Sequence, residues 1–400
     1  MSVTRVTSHF VRSRRFIVVP AVLAVLAGSA YVATPYARAT SLIVRGAHLG
    51  GAIETFANGR SYAVDARPAH TVPTRHGEVA ARFYVPAKVI GHPVIVIPGI
   101  HSAGIEEGRL TALSGELAAT GLTVMTIALP DLQAYRITPA ATDTIEDAVS
   151  WLADQREYAP DGKVGVVGIS FAGGLSVAAA SRDSIKDKLA YVMSFGGHAD
   201  LPRVMRYLVT GEETAVPGVT IHPPHDYGVG VILHGLADRG VVPADQIAPL
   251  REGIATFLLG SQQTVLTPDL AEKTFAQARA FEQTLPEPAR TYLHYVNERD
   301  TKKLGSVLRP YLDQLAADDP ALSPERTAAI PTAPVYLLHG MEDTVIPAVE
   351  SALLAENLRR RGADVHLLLS GLITHAEVSK NVPVGETVKL VAFWASVLRQ

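Results

Sequence analysis

The stretch "KVGVVGISFAGGLSVAAA", residues 163–180, reads as a strand that stops abruptly, turns over Ser170 and becomes a helix. Gly168 precedes the serine by two positions, and Ala172, Gly173 and Gly174 follow it. A nucleophile on a strand-to-helix elbow needs such small neighbours, because the backbone bends tightly and the helix must pack close to the sheet. The hydroxyl is then held out at the strand's C-terminal end. The helix N-terminus behind it favours negative charge developing nearby. Taken alone, a Gly-Ser turn is common loop punctuation, so the reading depends on companions.

A serine nucleophile needs a base to take its proton and a carboxylate to orient that base. After the strand-like "VYLLHG" comes "MEDTVIP", which places Asp343 just past a strand end. After the next strand, "DVHLLLSGLITHAE" puts His375 in the following loop. Rivals exist for both. Glu342 is one position from Asp343, and Asp343 or Thr344 equally suits the N-cap of the helix "PAVESALLAENLRRRG", with Pro347 near its first turn. His366 stands in mid-strand rather than beyond the strand's end, and His375 also reads as a plain surface histidine. The phrase "VILHGLADRGVVP" at 231–243 imitates the acid's surroundings with Asp238, but no strand-then-histidine pattern follows it before residue 334. Val231, Leu233, Leu236, Ala237 and Val241 there suit a buried helix.

These residues need a sheet to position them. After a connecting stretch with Pro68 and Pro73, "EVAARFYVP" and "HPVIVIPG" read as successive strands, the second almost wholly apolar as a strand buried on both faces should be. A mostly parallel sheet with helices on both faces follows. Leu110, Leu113 and Leu117 share a helical face, with Gly121 where a C-cap glycine belongs. "TVMTIALP" is the next strand, and Ile145, Ala148, Val149 and Leu152 then form a helical stripe before "KVGVVGI". "LAYVMSFGG", "VYLLHG" and "DVHLLLS" supply further strands, and "GETVKLVAFWASVLRQ" a closing helix. Between Gly197 and Pro334 the alternation lapses into helix-like patterns broken by prolines, which predicts a helical insertion over the sheet's edge. The expected division is 1–40 as membrane anchor or signal segment, 41–198 and 331–400 as the two parts of the α/β core, and 199–330 as a helical cap.

The motifs resemble those of the α/β-hydrolase superfamily. Residues 168–172 read "GISFA", similar to the family's GxSxG elbow with alanine at its last position, and "HGMEDTVIP" looks like the HGxxDxxxP phrase at the family's acid. The resemblance covers about residues 78–200 and 330–400, with the insertion matched to no subfamily. It implies the chain order serine, acid, histidine, met by Ser170, Asp343 and His375. It also implies an oxyanion hole, whose donors are each worth about 3 kcal/mol when well placed. The backbone amide of Phe171 supplies one. The loop "VIPGIHSAG" supplies the second through Ile100, with His101 as a neighbour offering an amide or a side chain. "PG" alone predicts a turn equally well. The implied activity is a serine hydrolase that cleaves an ester, thioester or amide through an acyl-enzyme, without metal or organic cofactor. Ester is the first choice. An acyltransferase or a peptidase on the same triad, and an inactive membrane-tethered binding protein, stay open.

Composition narrows the setting. With 36 basic against 39 acidic residues and a net charge of −3, the chain has no extended basic field for nucleic acid. It contains no cysteine, which excludes disulfides and thiol chemistry. The uncharged stretch from Phe16 to Ala37 is long enough to cross a bilayer core of about 30 Å. Arg5, Arg12, Arg14 and Arg15 precede it, which favours a cytoplasmic N-terminus and an extracytoplasmic catalytic domain. The competing readings are a cleaved signal peptide cut near Ala37 or Ala39, giving a secreted or periplasmic protein, and, disfavoured by the arginines packed at one end, a buried core helix. A small-molecule ester or acyl compound is the expected substrate, and nothing in the sequence speaks to oligomeric state.

Overall fold

The computed structural model describes residues 33–48, 50–264, 267–316, 320–373 and 384–400. It opens on helices α1 (33–46) and α2 (Gly51–Asn58), followed by strands β1 (Val64–Ala66), β2 (His70–Thr74), β3 (Gly77–Pro86) and β4 (Val94–Ile97). Helix α3 (Gly108–Ala118), β5 (Val124–Ile127), α4 (Pro130–Gln133), α5 (Pro139–Asp154), β6 (Val164–Ile169), α6 (Phe171–Ala180) and β7 (Leu189–Phe195) continue the alternation. Six helices then intervene: α7 (Leu201–Thr210), α8 (Tyr227–Leu236), α9 (Ala244–Gln263), α10 (Pro268–Glu282), α11 (Ala289–Asn297) and α12 (Thr301–Ala316). The core resumes with β8 (Val335–Gly340), α13 (Val349–Arg360), β9 (Val365–Ser370) and α14 (Val384–Val397).

The strands form one sheet in the order β1-β3-β5-β4-β6-β7-β8-β9, with β2 beside β3. From β5 to β9 every pairing is parallel. The beginning departs from the sequence reading. Strand β3 runs antiparallel to β5, and the stretch read as a connection holds β1 and β2, both antiparallel to β3. Ala81 of β3 pairs with His70 of β2 and with Ile127 of β5, so β2 lies on the outer side. Pro73 is tolerated there because an edge strand has amides with no ladder to join. Helix α3 ends at Ala118 with Ala119 as its cap, and Gly121 takes its positive φ of 104° two residues later in the turn against Ile90.

Both faces of the central strands are buried. Val94 and Val96 of β4 point to one face and Ile95 and Ile97 to the other, all 0 % exposed, which is why "VIVI" is apolar without alternation. The Val94 face is covered by α1, α3 and α14 through Ala39, Leu42, Leu110, Leu117, Leu390 and Trp394. The Ile95 face is covered by α5, α6 and α13, and its apolar cluster runs on into the inserted helices. Each fully buried aliphatic side chain contributes about 1.5–3 kcal/mol relative to leaving it exposed.

The connection from β4 to β5 crosses one face through α3, and that from β5 to β6 crosses the other through α5. Strand order therefore reverses at β4, and the connections leaving the C-terminal ends of β4 and β6 part to opposite faces. In open α/β sheets this opening is where ligands bind.

Residues 1–32, most of the expected anchor, lie outside the described residues. Among the described residues no helix is long and apolar enough to cross a membrane. The last positions of the apolar run, 33–37, belong to α1, which continues through residue 40 without a break and buries Pro35 and Ala39.

Candidate active site

Ser170 stands between the last residue of β6 and the first of α6, with φ 56° and ψ −133°. Holding a non-glycine residue there costs on the order of 1–3 kcal/mol. The surrounding packing over-determines the turn. The Ser170 amide donates to Phe195 O at 2.8 Å, and Ser170 O accepts from Gly173 N at 2.7 Å. A Cβ on Gly168 would collide with the Ala172 carbonyl and the Ser176 hydroxyl. One on Gly173 would lie 2.5 Å from Ser194 Oγ, and one on Gly174 2.5 Å from the His198 ring. The close approach that makes glycine obligatory thus falls at 168, 173 and 174. Position 172 tolerates alanine, whose side chain is wholly buried.

The loop leaving β4 meets this elbow. A Cβ on Gly99 would come within 2.9 Å of Ser170 Cβ and 3.5 Å of its Oγ, so glycine is what lets the two backbones touch. Ile100 is therefore next to a residue in contact with Ser170, and Phe171, the other expected donor, begins α6. His101 follows, with Nδ1 accepting from Ala103 N at 3.1 Å. Burial pulls its pKa down. The loop's far side touches the inserted helices, where the Ser102 hydroxyl donates to Gln262 Oε1 of α9 at 3.4 Å.

Asp343 lies beyond the end of β8, two strands from Ser170, with β7 between them. Its side chain is 2 % exposed. Oδ1 accepts from Val345 N at 2.8 Å and Ile346 N at 3.0 Å, which fixes the carboxylate and turns Oδ2 toward Gly196, where a Cβ would lie 3.5 Å away. It does not cap the following helix, whose N-cap is Ala348. Ser170 and Asp343 so emerge from the same edge of parallel strands. β9, in register with β8 from Val335↔Val365 to Gly340↔Ser370, delivers the chain to that edge at Gly371. His375 follows in the sequence and lies outside the described residues.

The rivals are occupied elsewhere. Glu342 is exposed. The ring of His366 stacks on Tyr336 at 4.6 Å, with Asp364 3.4 Å from its Nε2. Asp238 sits on a helical turn after α8 and pairs with Arg251 at 2.8 Å, while Leu233, Leu236, Ala237 and Val241 are buried as a helix reading expects.

Two supports were not visible in the sequence reading. His339, at 0 % exposure, has Nε2 2.8 Å from Ile346 O and Nδ1 2.7 Å from Ser351 Oγ. The carbonyl can only accept, so Nε2 carries the hydrogen and the serine hydroxyl donates to Nδ1. His339 thereby holds the turn that aims Asp343; a histidine closing a buried strand, ahead of an acid, was its available signal. From the insertion, His225 N donates to Thr344 O at 2.8 Å, and Tyr207 Oη donates to His222 O at 3.0 Å. The phenols of Tyr207 and Tyr227 are pushed to higher pKa by burial and then by the charge of Asp343, so both stay protonated. Among the described residues no group of three or more histidine, aspartate or glutamate side chains is arranged to hold a metal.

No protein-family model and no curated protein matches the chain. Among solved structures it is similar to an esterase from Pyrobaculum calidifontis, at 17 % identity over 86 % of this chain and 87 % of that one, with a TM-score of 0.41. A thermostable esterase from Pseudomonas putida is 14 % identical over 87 % and 89 %, with a TM-score of 0.46. A Pyrococcus furiosus esterase is 13 % identical over 83 % and 89 %, with a TM-score of 0.42.

Proposed function

We propose that the chain is a serine hydrolase of the α/β-hydrolase type that cleaves a carboxylic ester through an acyl-enzyme. The observation that carries this is Ser170 at a strained positive φ on the β6–α6 elbow, beside the β4 loop at the sheet's switch point. In the proposed reaction the Ser170 oxygen attacks the ester carbonyl while His375 takes its proton. The backbone amides of Phe171 and Ile100 receive the oxyanion, and the imidazolium returns the proton to the leaving alcohol. Water, deprotonated by the same histidine, then attacks the acyl carbonyl and releases the acid and Ser170. Asp343, already oriented by two amides, holds the imidazole tautomer and stabilises its charge. Each step uses protein groups alone, so no metal or organic cofactor enters.

The test is hydrolysis of p-nitrophenyl esters of graded chain length, together with labelling by a fluorophosphonate. The wild type is expected to turn over and be labelled, and Ser170→Ala to lose both. Equal turnover by the two proteins would remove Ser170 from the mechanism.

The same proposal places the N-terminal segment in a membrane, uncleaved, with the catalytic domain on the extracytoplasmic side. Support comes from α1. A cut near Ala37 or Ala39 would fall inside this helix, and one after Ala39 would remove Arg38, whose guanidinium donates to Thr120 O, Leu398 O and Ile90 O at 2.8, 3.1 and 3.3 Å. Ahead of the buried Pro35 the sequence keeps an uncharged run from Phe16 to Thr34, long enough at 1.5 Å per residue to match a bilayer core of about 30 Å. An intact N-terminus on membrane-bound protein is the expected result; a mature chain starting near residue 40 would reject it.

A further inference from the structure

The contacts of α1 fix more than attachment. Arg38 reaches the carbonyls of Ile90 and Thr120, which lie in the turns that feed β4 and β5 at their N-terminal ends, and of Leu398 just beyond the end of α14. Ser170 and Asp343 follow the C-terminal ends of β6 and β8. The β6 strand between these two edges spans about 20 Å at 3.3 Å per residue. The chain thus enters the domain at the edge opposite the elbow. No loose linker separates the apolar run from this edge, since α1 is already packed against the sheet at Ala39 and Leu42.

That entry edge also carries exposed apolar side chains. Phe56 is 62 % exposed, Val89 52 % and Tyr36 40 %. Hydrogen bonds tie the segments that carry them: Arg38, two residues after Tyr36, donates to the carbonyl of Ile90, next to Val89, and Ser41 of α1 donates to Ala57 O, next to Phe56. Cations flank them. Arg60 lies over the Phe56 ring at 4.3 Å, Arg399 over the Tyr36 ring at 5.1 Å, and Lys88 is exposed beside Val89. Aromatic and aliphatic groups with arginine and lysine beside them suit the headgroup layer of a bilayer, where apolar bodies sink while charges stay at the phosphates. The nearby acids, Glu54 on α2 and Asp161 paired with His92 at 3.3 Å, set the limit on the positive charge there.

We propose that this edge, centred on Tyr36, Phe56 and Val89, rests on the lipid surface that the N-terminal segment enters, so that the catalytic edge faces away from the bilayer and takes its ester from the aqueous phase. The inference rests on the anchor reading above.

The cysteine-free sequence allows a direct test. Phe56→Cys, Val89→Cys and, on the cap helix α9, Leu259→Cys each place one thiol at an exposed position of the full chain. Each is labelled with an environment-sensitive fluorophore and reconstituted into phosphatidylcholine–phosphatidylglycerol vesicles. Retained ester hydrolysis verifies folding. Labels at 56 and 89 are expected to shift to the blue and to be quenched by lipids carrying a nitroxide at the shallow depth of about 5–10 Å where interfacial groups sit. The label at 259 is expected to do neither. Quenching at 259 alone, or at none of the three in vesicle-bound protein, would overturn the orientation and leave the anchor standing. Failure of the full chain to associate with vesicles would overturn both.

Discussion

The chain writes nearly the same phrase twice, "HGLADRGVVP" from His234 and "HGMEDTVIP" from His339, and folds the two copies differently. The first closes α8 and passes into a π turn at Ala237–Val241. The second closes β8 and becomes a tight loop. In the loop, the amides of Val345 and Ile346 are not spent on a helix, and both donate to Asp343. In the helical copy the backbone leaves helical geometry at Arg239 and Gly240, and Asp238 pairs instead with Arg251, its side chain 46 % exposed. The histidines diverge in parallel. His339 has partners on both ring nitrogens, whereas His234 Nδ1 is buried without one and faces Tyr135 edge-on at 5.4 Å. A phrase acquires its chemistry from the partners its surroundings bring to it.

Substitutions can sharpen this contrast. The largest effect is expected at the acid: Asp343→Asn should lower kcat by about 10⁴-fold, as for a triad whose imidazole adopts the wrong tautomer. Asp238→Asn should leave the rate of ester hydrolysis at the wild-type value. Equal losses in steady-state assays would mean that the acid has been misassigned. Next comes His339→Leu, which strands the Ile346 carbonyl and the Ser351 hydroxyl in the interior. A loss of about 2–4 kcal/mol in urea unfolding is expected, with reduced turnover because the loop around Asp343 loosens. An unchanged midpoint would show that His339 does not hold the loop.

A smaller effect of opposite sign is expected at His234→Phe, which keeps the aromatic contact with Tyr135 and removes the unpartnered nitrogen. The His234 imidazole is pulled down from its ordinary 6.5 to about 4 by burial, then by the charges of Arg251 and Arg136. The unfolded chain therefore binds this proton first. Stability is fully present above pH 6.5 and lost as pH falls from 6.5 toward about 4. The fully buried His198 is likewise pulled down to about 4 and adds to the same loss. Thermal melts across this window should fall less steeply for His234→Phe than for the wild type, and parallel curves would exclude His234 as a source of acid sensitivity. The smallest change belongs to Asp238→Ala, which gives up the ion pair of a half-exposed carboxylate with Arg251 and should cost no more than about 1 kcal/mol. Chemical unfolding measures it, and a loss of several kcal/mol would show that the helical copy depends on its charges.

Much of the sheet could be read from the chain because buried parallel strands need unbroken apolar runs: "VIVI", "VGVVGI" and "VYLLHG" stand out from their neighbours. Strands β1 and β2 could not. One has three residues, the other carries Pro73 on an edge, and neither has an apolar run to announce it. The N-terminal run was ambiguous for the converse reason. A membrane span and a helix packed on a sheet both demand apolar residues, and only the burial of Pro35 and Ala39 separates the part that belongs to the domain. Within the site, Ser170 was legible from Gly168, Gly173 and Gly174, since close packing of helix on strand tolerates so few side chains. The role of His339 was not, because its partners Ser351 and Ile346 meet it only once the loop has closed.

By itself the sequence determined where strands and helices alternate, that a serine sits at a glycine-rich turn, and that an acid follows a later buried strand, because these depend on steric room and on apolar periodicity along the chain. The sequence already preferred Asp343 to Asp238 for the strand ahead of it; that this strand lies two places from Ser170, and which end of the sheet receives the N-terminal segment, were decided only by the tertiary structure. Both depend on strand order and on hydrogen bonds between residues far apart in the chain, such as those of Arg38 to Thr120 and Leu398.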